Sequence, residues 1–305
     1  MTLEKKSNNP VIEGLYADPD LYYEKGIYYI YPTTDGFPHW SGNEFYVFTS
    51  RDGKHFKRKN RILDVASQQV LWAAGSAWAP CIARKEDRYY FYFCAKDETG
   101  KSCIGVAYST SPTSPFTAMD EPMLTMEMMH RNGIEMSQTI DPSIYQDGED
   151  YYILFGNGQA ALAKLEKDMV HINEETLQNI KGLKDFREAV TVFKKDDRYH
   201  FTWSCDDAGS EDYHVNYGVS DSLTGEVTYV DTILKKKPEC DIMGTGHHSI
   251  CFIPDQDKYL IAYHRFATPL SQYPEGKGWH REVCIDTISF TADGYIQPVT
   301  PNGNE

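Results

Sequence analysis

The stretch Ala17-Asp18-Pro19-Asp20-Leu21, followed by Tyr28-Tyr29-Ile30-Tyr31, is the first of five copies of one phrase. Each copy has a small or acidic residue, a short apolar stretch, a polar turn and then an aromatic-rich strand. A period near 60 residues with several short strands per unit predicts an all-β, five-bladed β-propeller. The tyrosines that mark the copies are 61, 62, 48 and 60 residues apart, namely Tyr28, Tyr89, Tyr151, Tyr199 and Tyr259.

Polar turns separate alternating strands along the whole chain. Residues 44–50, for example, alternate and lead into the turn Arg51-Asp52-Gly53-Lys54, which is typical of β-hairpins. The strongest helical periodicity, over residues 174–183, is short, and no linker or low-complexity stretch divides the sequence. We therefore expect residues 1–305 to form a single propeller domain.

The composition limits the classes of partner. A formal net charge of −15 argues against binding to nucleic acid or to an anionic membrane, whereas it is compatible with a neutral sugar. Aromatic residues make up 13% of the chain and suit both strands and sugar-stacking surfaces. No apolar run reaches the roughly 18 residues that span a bilayer. We expect an oligosaccharide or polysaccharide partner.

The N-terminus and the cysteines bear on the compartment. Residues 1–6 lack the apolar core of a signal peptide, as expected of a protein that stays inside the cell or whose signal has been removed. The seven cysteines are scattered, odd in number and without zinc-site spacing, so we expect buried free thiols and no structural disulfides.

The innermost strand of each blade runs along the central channel of a propeller. The residues at the starts of these strands therefore lie close together at one mouth of the channel. Glu188 lies 11 residues before its tyrosine rather than 10, which we interpret as a turn longer by one residue. Three carboxylates in one pocket fit glycoside hydrolysis, which needs a protonated and an ionised carboxyl group across the sugar, with a third helping to keep one protonated. At this position the repeats offer Asp18, Ala79 after Trp78, Asp141, Glu188, and Ser249 after His247 and His248.

Several phrases, in this order along the chain, resemble those of glycoside hydrolase family 43. They are Ala17-Asp18-Pro19-Asp20, Ala77-Trp78-Ala79-Pro80, Ile140-Asp141-Pro142-Ser143, Arg187-Glu188-Ala189 and Gly246-His247-His248-Ser249. The resemblance covers nearly the whole chain. It implies a five-bladed propeller and an inverting glycosidase acting on polysaccharides that contain arabinose and xylose.

The resemblance also implies a role for each carboxylate. Asp18 matches the general base, which activates a water beneath the anomeric carbon, and Glu188 matches the general acid, which protonates the departing oxygen. Asp141 matches the residue that orients Glu188 and raises its pKa. Inversion predicts a separation of roughly 6.5–9.5 Å between the carboxyl groups of Asp18 and Glu188.

Further residues are expected around these three. The resemblance implies that Arg265 and Arg281 direct their guanidinium groups into the pocket, where they bond sugar hydroxyls. We expect Trp78 to stack on a sugar and Phe37, in the loop 33–40 with His39 and Trp40, to wall the pocket, although both positions also suit packing. We place His248 in the substrate site as well.

The family's chemistry implies no cofactor, but His247 matches a histidine that supports calcium or water in the central channel. His248 stands where the family has asparagine, so the metal arrangement stays open, and both histidines also suit a channel without metal.

An exo-acting α-L-arabinofuranosidase is the favoured activity. The alternatives are a β-xylosidase or an endo-1,4-β-xylanase of the same family, a fructosidase or phosphorylase on a related fold, and a carbohydrate-binding propeller without catalysis. Exo action needs a closed pocket, and the loop 33–40 together with the methionine-rich insert 118–137 could supply its walls.

Overall fold

The computed structural model describes residues 8–273 and 277–301, and within these ranges nineteen strands form five antiparallel sheets arranged as the blades of a propeller. The prediction of an all-β, five-bladed fold is confirmed. The first sheet comprises β1 Tyr16–Glu24, β2 Ile27–Thr34, β3 Glu44–Ser50 and β4 Lys57–Asp64. The second comprises β5 Ala73–Lys85, β6 Arg88–Asp97, β7 Ser102–Ser109 and β8 Thr117–Ala118.

The other three sheets follow in chain order. The third comprises β9 Ser143–Asp147, β10 Asp150–Phe155, β11 Ala161–Lys164 and β12 Gln178–Asn179. The fourth comprises β13 Glu188–Lys195, β14 Arg198–Cys205, β15 His214–Ser220 and β16 Thr228–Leu234, and the fifth β17 Gly246–Ile253, β18 Lys258–Phe266 and β19 Arg281–Ile288.

Helices are few in the described ranges, and none has the length and apolar character that crossing a bilayer requires. The α-helix α1 spans Met126–Arg131, and residues 174–183, where helical periodicity is strongest, contain only a short 3-10 turn followed by β12. The 3-10 helices are Pro38–Trp40, Glu174–Thr176, Pro238–Cys240, Pro254–Gln256, Leu270–Gln272 and Lys277–Trp279.

The N-terminal segment runs beside the last strand of the chain. The backbone N–H of Val11 donates to the carbonyl of Val283 at 2.9 Å, and the N–H of Ile285 donates to the side-chain oxygen of Asn9 at 2.8 Å. These bonds tie the start of the chain to β19, so the ring of blades is closed by contacts between its two ends.

Aromatic side chains fill the space between neighbouring blades. Phe45 of the first blade and Phe91 of the second lie 5.2 Å apart, centroid to centroid, in an edge-to-face pair, and both are fully buried. All seven cysteines are free thiols, as expected, and all but Cys240 and Cys251 are buried. The five buried cysteines therefore serve packing, as small apolar residues do.

His200 is buried in the fourth blade, where burial lowers its pKa to about 4 and the charges of Arg198 and Lys195 act in the same direction. Because the folded state holds this imidazole neutral, its contribution to stability is complete above pH 6.5 and is lost as pH falls towards 4. We expect the free energy of unfolding to fall by about 2 kcal/mol more between pH 7.5 and pH 5.0 in the wild type than in His200→Gln. Urea denaturation at both pH values measures this, and parallel losses in the two proteins would contradict it.

Each blade carries a residue in the left-handed region at the start of its innermost strand. In β1, β5, β13 and β17 the pairing register shifts at this point, as it does at a β-bulge. A residue other than glycine is unfavourable there and persists only where its surroundings hold it. The five residues are Asp18 (φ 47°), Ala79 (φ 43°), Asp141 (φ 61°), Ala189 (φ 56°) and His247 (φ 40°).

The positions of these bulges change the alignment of the repeats in the fourth and fifth blades. In the fourth blade the bulge residue is Ala189, and Glu188 pairs with Ser204 one position earlier, as Ala17 pairs with Thr33. The interpretation of a longer turn is wrong, because β13 and β14 are joined by two residues, as β1 and β2 are.

The fifth blade contains the longer turn. Ile253 pairs with Lys258 across a turn of four residues, so the residue at the bulge is His247 rather than Ser249. Two of the three carboxylates, Asp18 and Asp141, therefore occupy the same repeat position, and the third precedes it by one residue.

Candidate active site

A cavity of about 140 Å³ lies at the mouth of the propeller where the bulges meet. It combines bulge residues with the residues that precede them, since a bulge turns neighbouring side chains towards the same mouth. A larger cavity of about 600 Å³ continues along the channel and shares Asp18, Asp141 and His247 with it. The smaller cavity is lined by Asp18, Trp40, Trp78, Gln138, Ile140, Asp141, Arg187, Glu188, Asp207, Ala208, His247 and Arg281.

Asp18 is buried but surrounded by positive charge and hydrogen-bond donors. Its Oδ1 lies 3.0 Å from Nη1 of Arg281, 3.0 Å from Nδ1 of His264 and 3.3 Å from Nδ1 of His247. Burial alone would raise the pKa of Asp18, but the charge of Arg281, with smaller contributions from His247 and from the hydrogen bond of His264, outweighs it and holds the pKa well below its usual range. Asp18 is therefore ionised at neutral pH.

Arg281 is fixed by a second buried carboxylate, Asp35, that the sequence did not reveal as a site residue. The guanidinium Nε and Nη2 donate to the two oxygens of Asp35 at 2.8 and 3.2 Å, and the backbone N–H of Arg281 adds a bond of 3.0 Å. This fork-to-fork pairing leaves Nη1 for Asp18. The prediction that Arg281 faces the pocket agrees with its place in the cavity wall.

Asp141 and Glu188 form a closely coupled pair of buried acids. Burial, and then the charges of Glu188 and Asp18, raise the pKa of Asp141 well above its usual range. One oxygen of Asp141 has no hydrogen-bond partner and lies 3.8 Å from Nδ1 of His247. Because two adjacent buried carboxylates cannot both ionise freely, the pair retains a proton at neutral pH.

Glu188 is held on both sides. Nδ2 of Asn157 donates to its Oε2 at 2.7 Å, and the hydroxyl of Tyr213 donates to its Oε1 at 2.8 Å. Arg187, the preceding residue, lines the cavity with its Nε 3.9 Å from Oε2 of Glu188, and its Nη2 forms an ion pair with Asp207 at 3.0 Å. Asn157 and Tyr213 could not be identified from the sequence, because neither belongs to a repeated phrase.

Two tryptophans form one wall. Trp78 donates from Nε1 to the carbonyl of Trp40 at 2.6 Å, and Trp40 donates from Nε1 to the carbonyl of Gly278 at 2.6 Å. These bonds join the first, second and fifth blades at the cavity. Phe37 is 45% exposed and does not line the cavity, so the structure places it outside the predicted wall.

The insert 118–137 also contributes no lining residue. Three of its methionines are buried in the core between the second and third blades instead, and Gln138 directly after it is the nearest lining residue in the chain. The buried methionines are Met123, Met129 and Met136.

Two predicted substrate contacts lie elsewhere. Arg265 is fully buried, and its Nε donates to Glu282 of the adjacent strand at 2.7 Å, so the expectation that it faces the pocket is not met. Since successive residues of a strand point to opposite faces, it is His264 that reaches Asp18. His248 lines the larger channel cavity, where its Nε2 contacts the hydroxyl of Thr202 at 2.6 Å.

The imidazoles of His264 and His248 are electrically neutral at pH 7. Burial, and then the charge of Arg281, lower the pKa of His264 to about 3, while burial and the neighbouring histidines lower that of His248 to about 3. Only one group of side chains in the described ranges has the spacing of a metal site, comprising Asp141, Glu188 and His247 with ligand atoms within 4.8 Å of one another.

The fold and the site together define a class. The propeller mouth holds one ionised carboxylate and a pair of carboxyl groups that retains a proton, the two kinds of group that an inverting glycosidase needs. The chain belongs to glycosyl hydrolases family 43, whose model matches residues 7–296. It is accordingly an inverting glycoside hydrolase, and its chemistry requires no cofactor.

Named relatives cover almost the whole chain. The β-D-galactofuranosidase xynD of Aspergillus niger is 30% identical over 316 residues, covering 98% of this chain and 86% of that protein. A xylosidase/arabinosidase of Bacteroides ovatus is 26% identical, covering 96% and 97%. The crystal structure of an α-L-arabinofuranosidase from Clostridium thermocellum ATCC 27405 is 26% identical, with a TM-score of 0.75 over 94% of each chain.

Proposed function

We propose that the protein is an exo-acting α-L-arabinofuranosidase that removes arabinose side chains from plant polysaccharide. The observation that supports exo action is the size of the cavity around the carboxylates, about 140 Å³. Pockets for drug-sized ligands measure roughly 300–1,000 Å³, so this cavity suits a single sugar unit. The names of the Bacteroides and Clostridium relatives support the pentose.

In the proposed mechanism, Asp18 is the general base. Its ionised carboxylate accepts a proton from water as the water oxygen attacks the anomeric carbon. Glu188 is the general acid and gives its proton to the glycosidic oxygen as that bond breaks. Asp141 orients Glu188 and keeps a proton on the pair, since its own burial and the charge of Glu188 disfavour a second ionisation.

Arg281 and an aromatic wall would position the sugar. The guanidinium group of Arg281 holds Asp18 ionised and would also donate to sugar hydroxyls. Trp78 is fixed by its bond to the Trp40 carbonyl and offers a ring on which the sugar stacks.

A second candidate is the hydrolysis of β-D-galactofuranosides, which the 30% identity to the Aspergillus enzyme supports. α-L-Arabinofuranose and β-D-galactofuranose have the same ring configuration and differ in the substituent at the end of the ring. A site that binds one ring therefore accepts the other wherever the cavity has room for the longer substituent.

A panel of 4-nitrophenyl glycosides tests the proposal. We expect the α-L-arabinofuranoside to be hydrolysed with a kcat/KM at least about tenfold above that of the β-D-xyloside. In a closely fitting pocket, a small difference in shape between two substrates changes the activation free energy by about 1–3 kcal/mol. Arabinoxylan should release free arabinose and no shorter xylan chains. A faster xyloside would favour a β-xylosidase, internal cleavage of xylan an endo-xylanase, and silence on every substrate a binding propeller.

We propose further that His247 and the unpartnered oxygen of Asp141 accept calcium, with water completing the shell. The unpartnered oxygen of Asp141 supports this, since a buried carboxylate oxygen needs a donor or a cation. Bound there, calcium would supply positive charge at the floor of the cavity.

Calcium at about 100 times its dissociation constant is expected to stabilise the wild type by about 2.7 kcal/mol. Thermal unfolding of EDTA-treated protein with and without added calcium measures the effect. His247→Ala should abolish the increase in Tm, and an equal increase in both proteins would contradict the assignment.

A further inference from the structure

We infer that Tyr213 and Asn157 are positioning residues for the proton donor, and that they stabilise the charge which develops on Glu188 as its proton leaves. This rests on the proposed role of Glu188 as general acid. Both side chains are almost completely buried, and each donates to a different oxygen of the Glu188 carboxyl group, at 2.8 Å from Tyr213 and 2.7 Å from Asn157.

The two donors come from different blades and are fixed independently of Glu188. Asn157 follows β10, and its backbone is anchored by bonds to Ser137 at 2.8 Å and Gln138 at 3.2 Å. Tyr213 precedes β15 in the fourth blade, and its ring packs on Gly246 of the fifth. A methyl group at Gly246 would lie 2.4 Å from two atoms of that ring, so the residue must be glycine for the tyrosine to occupy this place.

The carboxyl group of Glu188 therefore has a single orientation. If it rotated, it would lose both bonds, and its oxygens would be buried without donors, which costs about 1–3 kcal/mol for each group. The remaining direction is towards the cavity, where the departing oxygen of the substrate would lie. Preorganisation of this kind matters because a displaced proton donor cannot reach the leaving group.

The donors also act on charge. When Glu188 protonates the leaving group, negative charge builds up on its two oxygens, and both already face a fixed donor. Hydrogen bonds to an ionised group contribute about 1.5–3 kcal/mol, and donors that are in place beforehand need no reorganisation. Asp141 works in the opposite sense by favouring the protonated acid before transfer.

Tyr213 also touches the opposite side of the site. Its ring stacks on His264, with 5.5 Å between centroids and an interplanar angle of 6°, and Nδ1 of His264 lies 3.0 Å from Asp18. A change that keeps the ring and removes the hydroxyl isolates the effect on Glu188. Tyr213→Phe is that change.

The leaving group distinguishes positioning from a merely structural role. A general acid matters for a poor leaving group such as 4-methoxyphenol, whereas 2,4-dinitrophenol departs without protonation. For the glycone selected by the substrate panel, we expect Tyr213→Phe to lower kcat/KM by about 10- to 100-fold on the 4-methoxyphenyl glycoside and less than about threefold on the 2,4-dinitrophenyl glycoside.

Three further variants make the outcome decisive. Tyr217→Phe is the matched control, because Tyr217 is a fully buried tyrosine of the same blade whose hydroxyl contacts His200 at 2.7 Å; it should leave both rates unchanged. Glu188→Ala should show the same dependence on leaving group as Tyr213→Phe, with a larger loss. Asn157→Ala asks the same question if Tyr213→Phe does not fold, as judged by circular dichroism.

Failure of this inference and failure of the proposed mechanism would give different results. If Glu188→Ala loses equally on both substrates, Glu188 is not the acid and the proposed mechanism fails. If Glu188→Ala depends on the leaving group while Tyr213→Phe and Asn157→Ala lose equally on both substrates, or on neither, the inference on Tyr213 and Asn157 is overturned and the mechanism stands.

Discussion

Asp18→Asn is expected to lower kcat by about 10⁴-fold on every aryl glycoside, whatever its leaving group, because an amide cannot accept the proton of the attacking water. Asparagine has the size of aspartate and still accepts the bond from Arg281, and its backbone N–H still donates to Nδ1 of His264, so the site should keep its shape. Loss on good and poor leaving groups alike distinguishes a base from an acid. Steady-state kinetics on the 4-methoxyphenyl and 2,4-dinitrophenyl substrates measure it.

Asp20→Asn is the matched control. Asp20 lies two residues further along the same strand, lines the channel, and accepts a bond from the backbone of Ile82 at 2.8 Å. Burial raises its pKa to about 7, so an amide resembles the form that is already populated at neutral pH. We expect Asp20→Asn to remain within about threefold of the wild type. If Asp18→Asn retained comparable activity, Asp18 could not be the base.

Arg281→Leu is expected to cost about 3–5 kcal/mol of stability, the largest effect on folding that we predict. The change leaves two buried carboxylates, Asp18 and Asp35, without the cation that both contact. Urea denaturation at pH 7 measures the loss, and the double variant Arg281→Leu/Asp35→Leu should recover part of it, because one of the unpaired charges is then removed as well.

A cation whose carboxylate partners are exposed provides the comparison. Lys236 pairs with Glu211 at 3.2 Å and Asp212 at 2.6 Å, but both carboxylates are more than half exposed. Exposed pairs contribute about 0–1 kcal/mol, so Lys236→Leu should change stability by no more than that. Similar losses in the two variants would show that burial does not set the strength of the Arg281 network.

Much of the site could be predicted because residues that are equivalent in the sequence repeat lie close together in a propeller. Equivalent positions of the repeats meet at one mouth, so Asp18 and Asp141 had to lie together once the repeat was recognised. Glu188 was predicted there as well, but through a longer turn that does not exist. Glu188 lies one position before the bulge residue of its blade, and residue spacing alone does not distinguish that position from a turn longer by one residue.

Other residues could not be predicted from position alone. Arg265 and His264 are neighbours in β18, and which of them reaches the pocket depends on the register of that strand against β19. Asp35, Asn157 and Tyr213 lie at or beyond strand ends, where spacing varies from blade to blade. Their roles depend on contacts between blades, and no local pattern encodes these.

The sequence by itself determined the number of blades, the family and the three carboxylates, because a repeat and its interruptions are readable at short range. Only the tertiary structure decided which side chains surround each carboxylate. Arg281 and His264 lie more than 240 positions from Asp18 in the chain, yet they set its charge. The electrostatics of a buried acid depend on distances in space, and closure of the ring creates those distances.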